Sequence, residues 1–352
     1  MSRRVLVIAT AMLSACAIQR SQPNAPARSR ASSAISADDH MAHMSAADMA
    51  TPSMRMGASM AQQGLAGLPA SNATSEARLK ASPRHGEWVK IPWGGDAKDS
   101  LMAWIVYPAS PNARAKAPVV VVVHEIYGLS TWVRGVADQA AADGFIAIAP
   151  DLVSRTRPGG PSNDELPRDT ASKYIRAVPN SDRVLGVIAA ANYAMMQPSA
   201  QQKYAVIGYC WGGQTVFMHA VNGGVKGFAG GVAYYGLPYM SGGSPATATA
   251  AAVPATFTID SLKKIKAPVM LLNGSKDARI AAAMPALDSL MKALRKNYSG
   301  TNYDGATHGF LRAQNDPKAQ NRDEVEEAAN LAATKDAWPK TLAFLRKNLR
   351  VR

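Results

Sequence analysis

Lys203-Tyr204-Ala205-Val206-Ile207-Gly208-Tyr209-Cys210-Trp211-Gly212-Gly213-Gln214-Thr215-Val216-Phe217-Met218-His219-Ala220 is the stretch from which the fold is read. Positions 203–208 form an apolar run of strand length, and 212–220 begin a helix. Between them lies G-x-C-x-G-G. A side chain carried on a sharp strand-to-helix turn needs glycine on both sides, because a Cβ at 208 or 212 collides where strand and helix cross. The turn lifts the sulfur above the carboxyl end of the strand. The helix N-terminus behind it favours the thiolate and any negative charge that develops there. A lone cysteine is more often an inert core residue, but this setting has the form of a nucleophile elbow.

Strand and helix patterns alternate on both sides of this turn. Strands are predicted over 87–92 and 101–107, joined through Gly94-Gly95. The run Val119 to Val123 marks a strand buried on both faces, as in a parallel sheet. Ser130 caps a helix over 131–143 that stops at Gly144. Strands follow at 145–149, 226–234, 268–272 and 301–303, with helices at 182–196, 285–297 and 322–348. Positions 238–254 read as a surface insertion. The alternation predicts an α/β domain over 86–352, with a doubly wound, mostly parallel sheet flanked by helices.

A nucleophile needs a base, and the base an orienting partner. Of the histidines after Cys210, His219 falls two turns into the helix and points away from the sulfur. His308 stands in the Gly-flanked Gly305-Ala306-Thr307-His308-Gly309-Phe310, just after the last predicted strand. Asp277, in Asn273-Gly274-Ser275-Lys276-Asp277, follows a strand's carboxyl end and is the candidate orienter. Asp260, Asp288 and Asp304 compete for that role. His124-Glu125-Ile126-Tyr127-Gly128 follows the β-branched strand, where an oxyanion-hole amide is expected. A carboxylate there repels a thiolate, so Glu125 is either functional or paired with a nearby arginine.

Taken together, H-E-I-Y-G, G-Y-C-W-G-G, Tyr234-Tyr235-Gly236, the G-x-x-D loop and A-T-H-G-F resemble the dienelactone hydrolases (carboxymethylenebutenolidases) of the α/β-hydrolase superfamily. The resemblance spans roughly 86–348. It implies an enzyme cleaving a small ester or lactone through an acyl-cysteine intermediate, without metal or organic cofactor. It makes Cys210 the nucleophile, His308 the base, Asp277 its orienter and Glu125 the activating switch. The amides of Ile126 and Trp211 become the oxyanion hole, and Arg312, four residues after the histidine, holds a substrate carboxylate. The family's Arg and Tyr four apart on the preceding helix are not reproduced: Arg168, Tyr174 and Arg176 stand at other spacings. Competing readings are a broad carboxylesterase or thioesterase, and a non-catalytic envelope protein with a copper-binding tail.

The rest of the chain bears on location. Arg3 and Arg4 precede a short apolar run over 5–13, well below the ~20 residues a membrane helix needs. This is the pattern of a signal peptide over 1–16. Leu13-Ser14-Ala15-Cys16 resembles a bacterial lipobox, with Cys16 lipidated; Ala15-Cys16-Ala17 also fits ordinary cleavage. Export to the periplasm or outer membrane is expected, with membrane attachment through Cys16. Two cysteines exclude a disulfide framework. Positions 17–85, poor in aromatics, read as a disordered linker. Within them His40, His43 and nearby methionines offer soft ligands without tight ligand spacing. The net charge of +14 is scattered rather than striped with aromatics, which argues against nucleic acid.

Overall fold

The computed structural model describes residues 64–93, 96–109, 116–157, 167–242, 255–314 and 324–351. Eight strands form one sheet: β1 (Gly86–Trp93), β2 (Asp96–Val106), β3 (Ala117–Val123), β4 (Ile146–Pro150), β5 (Ala200–Tyr209), β6 (Phe228–Tyr234), β9 (Val269–Gly274) and β10 (Tyr298–Tyr303). Between β6 and β9, Met240–Ser241 (β7) and Thr256–Phe257 (β8) make a separate two-stranded pair. The order across the large sheet is β1-β2-β4-β3-β5-β6-β9-β10. Pairing is antiparallel at β1–β2 and β2–β4 and parallel everywhere else. The doubly wound, mostly parallel sheet expected from the alternation is therefore present.

Six neighbouring strands, β4, β3, β5, β6, β9 and β10, all run the same way. Their carboxyl ends, and the loops bearing His124, Cys210, Tyr235, Asp277 and His308, share one edge. Val119 through Val123 are fully buried, because helices cover both faces of the middle of the sheet. In chain order the helices are α1 (Ser75–Lys80), α2 (Thr131–Ala142), α3 (Arg168–Ala177), α4 (Asn180–Met195), α5 (Trp211–Asn222), α6 (Ile259–Lys264), α7 (Ala278–Ala293), α8 (Phe310–Ala313) and α9 (Glu324–Leu349). Ser130 caps α2 as its position predicts, its hydroxyl accepting from Val133 N at 3.4 Å.

Two expectations are corrected. The helix predicted over 285–297 begins at Ala278, with Asp277 as its cap, and holds Pro285 inside. Its buried stripe, Ile280, Met284, Leu287 and Met291, keeps helical spacing through the proline, which is exposed and tolerated. The linker expected to run to residue 85 is ordered from Gly64 onward. Leu68, Ala70, Ser71 and Ser75 are buried, and α1 packs on α2. Trp132 Nε1 donates to Ala70 O (3.1 Å), Gln314 Nε2 to Pro69 O (2.8 Å) and Asn72 N to Arg312 O (2.8 Å). Arg84 grips Asp138 with Nε (2.9 Å) and Nη2 (2.6 Å). Composition hid this strap because it needs no core of its own: its apolar atoms and backbone groups are satisfied by the sheet domain. The signal peptide, Cys16 and the Met/His-rich patch lie outside the described residues. Among the described residues no helix is long and apolar enough to cross a membrane.

Candidate active site

The turn after β5 has the strained geometry its glycines imply. Cys210 sits at φ 54°, ψ −115°, outside the ordinary regions for a residue with a Cβ. Its N–H donates to Tyr234 O at 3.0 Å, and its carbonyl accepts from Gln214 N at 3.1 Å. A Cβ on Gly212 runs into the carbonyls of Val123 and His124, so only glycine lets α5 approach the end of β3. That approach brings the elbow beside the His124–Gly128 loop.

His308 follows β10, in a turn closed by Gly309 at φ 73°. Its Nδ1 and Asp277 Oδ2 are 2.6 Å apart, and Asp277, as the cap of α7, also accepts from Ile280 N at 3.3 Å. Asp277 is thus fixed by a helix terminus and is the carboxylate that meets the ring. The other candidates are occupied elsewhere: Asp260 with Lys263, Asp304 with Ser275 and Asp288 beside Tyr298. Cys210 is an electrostatic neighbour of the ring. Burial alone pushes His308 down, yet Cys210, and then Asp277, hold it well above the usual imidazole value. His219 lies away from this line, its Nε2 2.9 Å from Tyr204 Oη. Asp277 and His308, remote in sequence, therefore meet on the edge of the sheet that carries the Cys210 elbow.

Glu125 is as buried as the thiol, and Arg312 Nε stands 3.1 Å from its Oε2. The pairing foreseen as one reading of Glu125 is present, and its partner is the residue carried over as substrate-binding. Arg312 also lies 5.6 Å from the centre of the Tyr127 ring. Ile126 is buried next to Glu125, and Trp211 opens α5, so its N–H has no acceptor within the helix.

Three residues beyond the candidate set build this site. His124 Nδ1 meets Glu125 O at 2.6 Å, while its Nε2 accepts from Leu152 N at 3.0 Å. Burial pushes His124 down to about 4, so the ring is neutral with a fixed tautomer, stacked 5.4 Å from Trp211. Tyr235, at φ 39°, places its ring 4.8 Å from His308. Burial, then the charge of Glu125, holds its phenol well above its ordinary value, so it stays neutral. Arg183, from α4, reaches Trp211 O at 2.7 Å. His124 and Tyr235 stand in motifs legible in the sequence. Arg183 gave no signal, because an arginine on an amphipathic helix reads as a solvated residue.

Residues 103–349 match the profile of the dienelactone hydrolase family. The chain belongs to that family. Over 204 residues it is 29% identical to the carboxymethylenebutenolidase of Pseudomonas sp. strain P51, spanning 57% of this chain and 77% of that relative. Over 127 residues it is 35% identical to the Pseudomonas putida carboxymethylenebutenolidase, spanning 36% of this chain and 52% of that one. A solved Klebsiella pneumoniae structure bearing the dienelactone hydrolase name superposes with a TM-score of 0.56 at 25% identity, over 75% of this chain and 99% of that one. The fold is the α/β-hydrolase fold, and the chain is a dienelactone hydrolase-like hydrolase. The strap over 64–85 lies outside the span matched by the family profile. Among its described residues no cluster of three or more His, Cys, Asp or Glu is arranged to hold a metal ion.

Proposed function

We propose that the protein hydrolyses a small anionic ester or lactone through an acyl-cysteine intermediate on Cys210. The observation that carries this reading is the buried Asp277–His308 pair on the same sheet edge as Cys210, whose thiol stands on a strained elbow and acts electrostatically on the imidazole. In the resting site the Arg312–Glu125 pair occupies both partners. A substrate carboxylate that takes Arg312 releases Glu125, which accepts the thiol proton. The thiolate attacks the carbonyl carbon, forming the S–C bond and moving the π electrons onto oxygen. The amides of Ile126 and Trp211 hold that oxyanion. When the intermediate collapses the C–O bond breaks, and His308, as imidazolium, gives its proton to the leaving oxygen. Water then attacks the acyl-cysteine while neutral His308 takes its proton, and the departing sulfur recovers the proton from Glu125. No step calls on a metal or organic cofactor.

Rates on a dienelactone, simple aryl esters and a thioester, for the wild type and for Cys210→Ala and Cys210→Ser, test this. Cys210→Ala is expected to lose at least about 10³-fold in kcat, and anionic substrates to be preferred. Full turnover by Cys210→Ala ends the reading. A flat rate across all three classes replaces it with a broad esterase. Leu13-Ser14-Ala15-Cys16 supports export with Cys16 as a lipid attachment site. Mass spectrometry of the mature N-terminus checks this, with a lipidated cysteine as the expected first residue.

A further inference from the structure

Arg183 is 3% exposed, yet among the described residues its guanidinium forms no ion pair with a carboxylate. Its partners are neutral. Nε and Nη2 reach Thr215 Oγ1 at 3.0 and 2.7 Å, and Nη1 reaches Gln214 Oε1 at 2.9 Å and Asn180 Oδ1 at 3.2 Å. Nη2 also donates to Trp211 O at 2.7 Å, and the group lies 4.1 Å from the centre of the Trp211 ring. Apart from Asn180, these partners belong to the first turns of α5, directly behind Cys210.

A buried cation without a counter-charge is costly, and the N-terminal end of a helix is the worst place for one, because the helix dipole is already positive there. The arrangement becomes favourable only when negative charge forms in front of that terminus. Cys210 is the cap residue at that terminus, so its sulfur, and the oxygen of a substrate held at the Trp211 amide, are the groups that would carry it. A group that is unfavourable at rest and complementary to the charged intermediate acts in the direction catalysis requires. Resting on Cys210 as nucleophile, we propose that Arg183 is a positioning residue whose buried charge, delivered through the first turn of α5, favours the Cys210 thiolate. The coupling is reciprocal: burial pushes Arg183 down to about 9, and Cys210 acts to raise it.

The other titratable groups around the sulfur are His308 with Asp277, the Tyr235 phenol and, acting on that phenol, Glu125 with Arg312. All of them stay in place when Arg183 alone is changed. The test uses the full chain with Cys16→Ser as background. Thiolate ultraviolet absorbance is titrated against pH and corrected with Cys210→Ser, alongside kcat and KM. Arg183→Gln retains hydrogen bonding without charge. Gln214→Glu leaves Arg183 in place and gives it a carboxylate partner. Both are expected to raise the ionisation midpoint of Cys210 by about one pH unit and to lower kcat about tenfold, with KM changed far less. Arg183→Lys is expected to recover most of the shift. A brace that only stitches α4 to α5 predicts lower melting temperatures with an unchanged midpoint. That result, in either folded variant by circular dichroism, overturns the inference, and Gln214→Glu decides if Arg183→Gln fails to fold. Turnover of Cys210→Ala is read separately, so failure of the nucleophile reading is distinguishable from failure of this one.

Discussion

Cys210 is held in an unfavourable backbone well by hydrogen bonds on both sides, from its N–H to Tyr234 O and from Gln214 N to its carbonyl. The strain fixes the direction in which the Cα–Cβ bond of Cys210 leaves the turn. The imidazole in turn depends on Asp277, whose carboxylate also caps α7. Asp277→Asn keeps the shape but removes the charge, and kcat/KM is expected to fall about 10³-fold. The same substitution removes a cause that holds His308 high. A folded-state value raised above 6.5 means that the imidazolium survives neutral pH and is lost only as pH rises through that higher value. The alkaline limb of kcat/KM is therefore expected well above pH 6.5 in the wild type, and Asp277→Asn is expected to move it down. An alkaline limb at 6.5 in the wild type contradicts the coupling. Cys210, Asp277 and Glu125 are legible from the sequence because each follows an apolar strand in a glycine-punctuated segment, and His308 because glycines flank its turn. Arg183 was not, because only the packing of α4 on α5 decides that its guanidinium is buried.

At the scale of the element, the elbow works because α5 starts within touching distance of the end of β3. Gly212→Ala drives a Cβ into the carbonyls of Val123 and His124. The expected cost is about 1–3 kcal/mol in urea unfolding, with activity falling further because the Ile126 loop is displaced. A variant as stable as the wild type contradicts this account of the turn. The same helix carries His219, which burial pushes down to about 4 beside Tyr204. A depressed histidine contributes stability that is present above the unfolded value near 6.5 and is lost as pH falls toward 4. Each such ring, His124 and His219, is expected to cost about 1.4 kcal/mol per pH unit across that window. Urea midpoints between pH 7 and 4.5 should show an acid slope that is shallower by one proton in His219→Gln. An unchanged slope removes His219 from the account. The helix expected over 285–297 starts earlier for a reason at this scale: proline at a first helical position is a strong local signal, and here a cap eight residues before the proline and a buried stripe outweigh it.

Across the whole molecule, the strap from Gly64 to Arg84 ties the front of α2 to the segment bearing Arg312. A chain beginning at residue 86 loses these bonds and leaves Trp132 Nε1 and Asp138 without their acceptor and partner. About 3 kcal/mol and a melting temperature lower by about 6–12 °C are expected, measured by calorimetry; an unchanged melting temperature contradicts a structural role for the strap. The sequence alone determined the parallel sheet, the elbow and the identity of the thiol, imidazole and carboxylates, because strand period, β-branched runs and glycine placement are local properties of the chain. It could not determine that Arg312 is the arginine against which Glu125 rests, that a compositionally bland strap is ordered, or that a buried arginine stands behind the nucleophile. Those follow from which atoms are neighbours across long stretches of chain, and burial, pairing and charge exist only once the sheet has brought its loops to one edge.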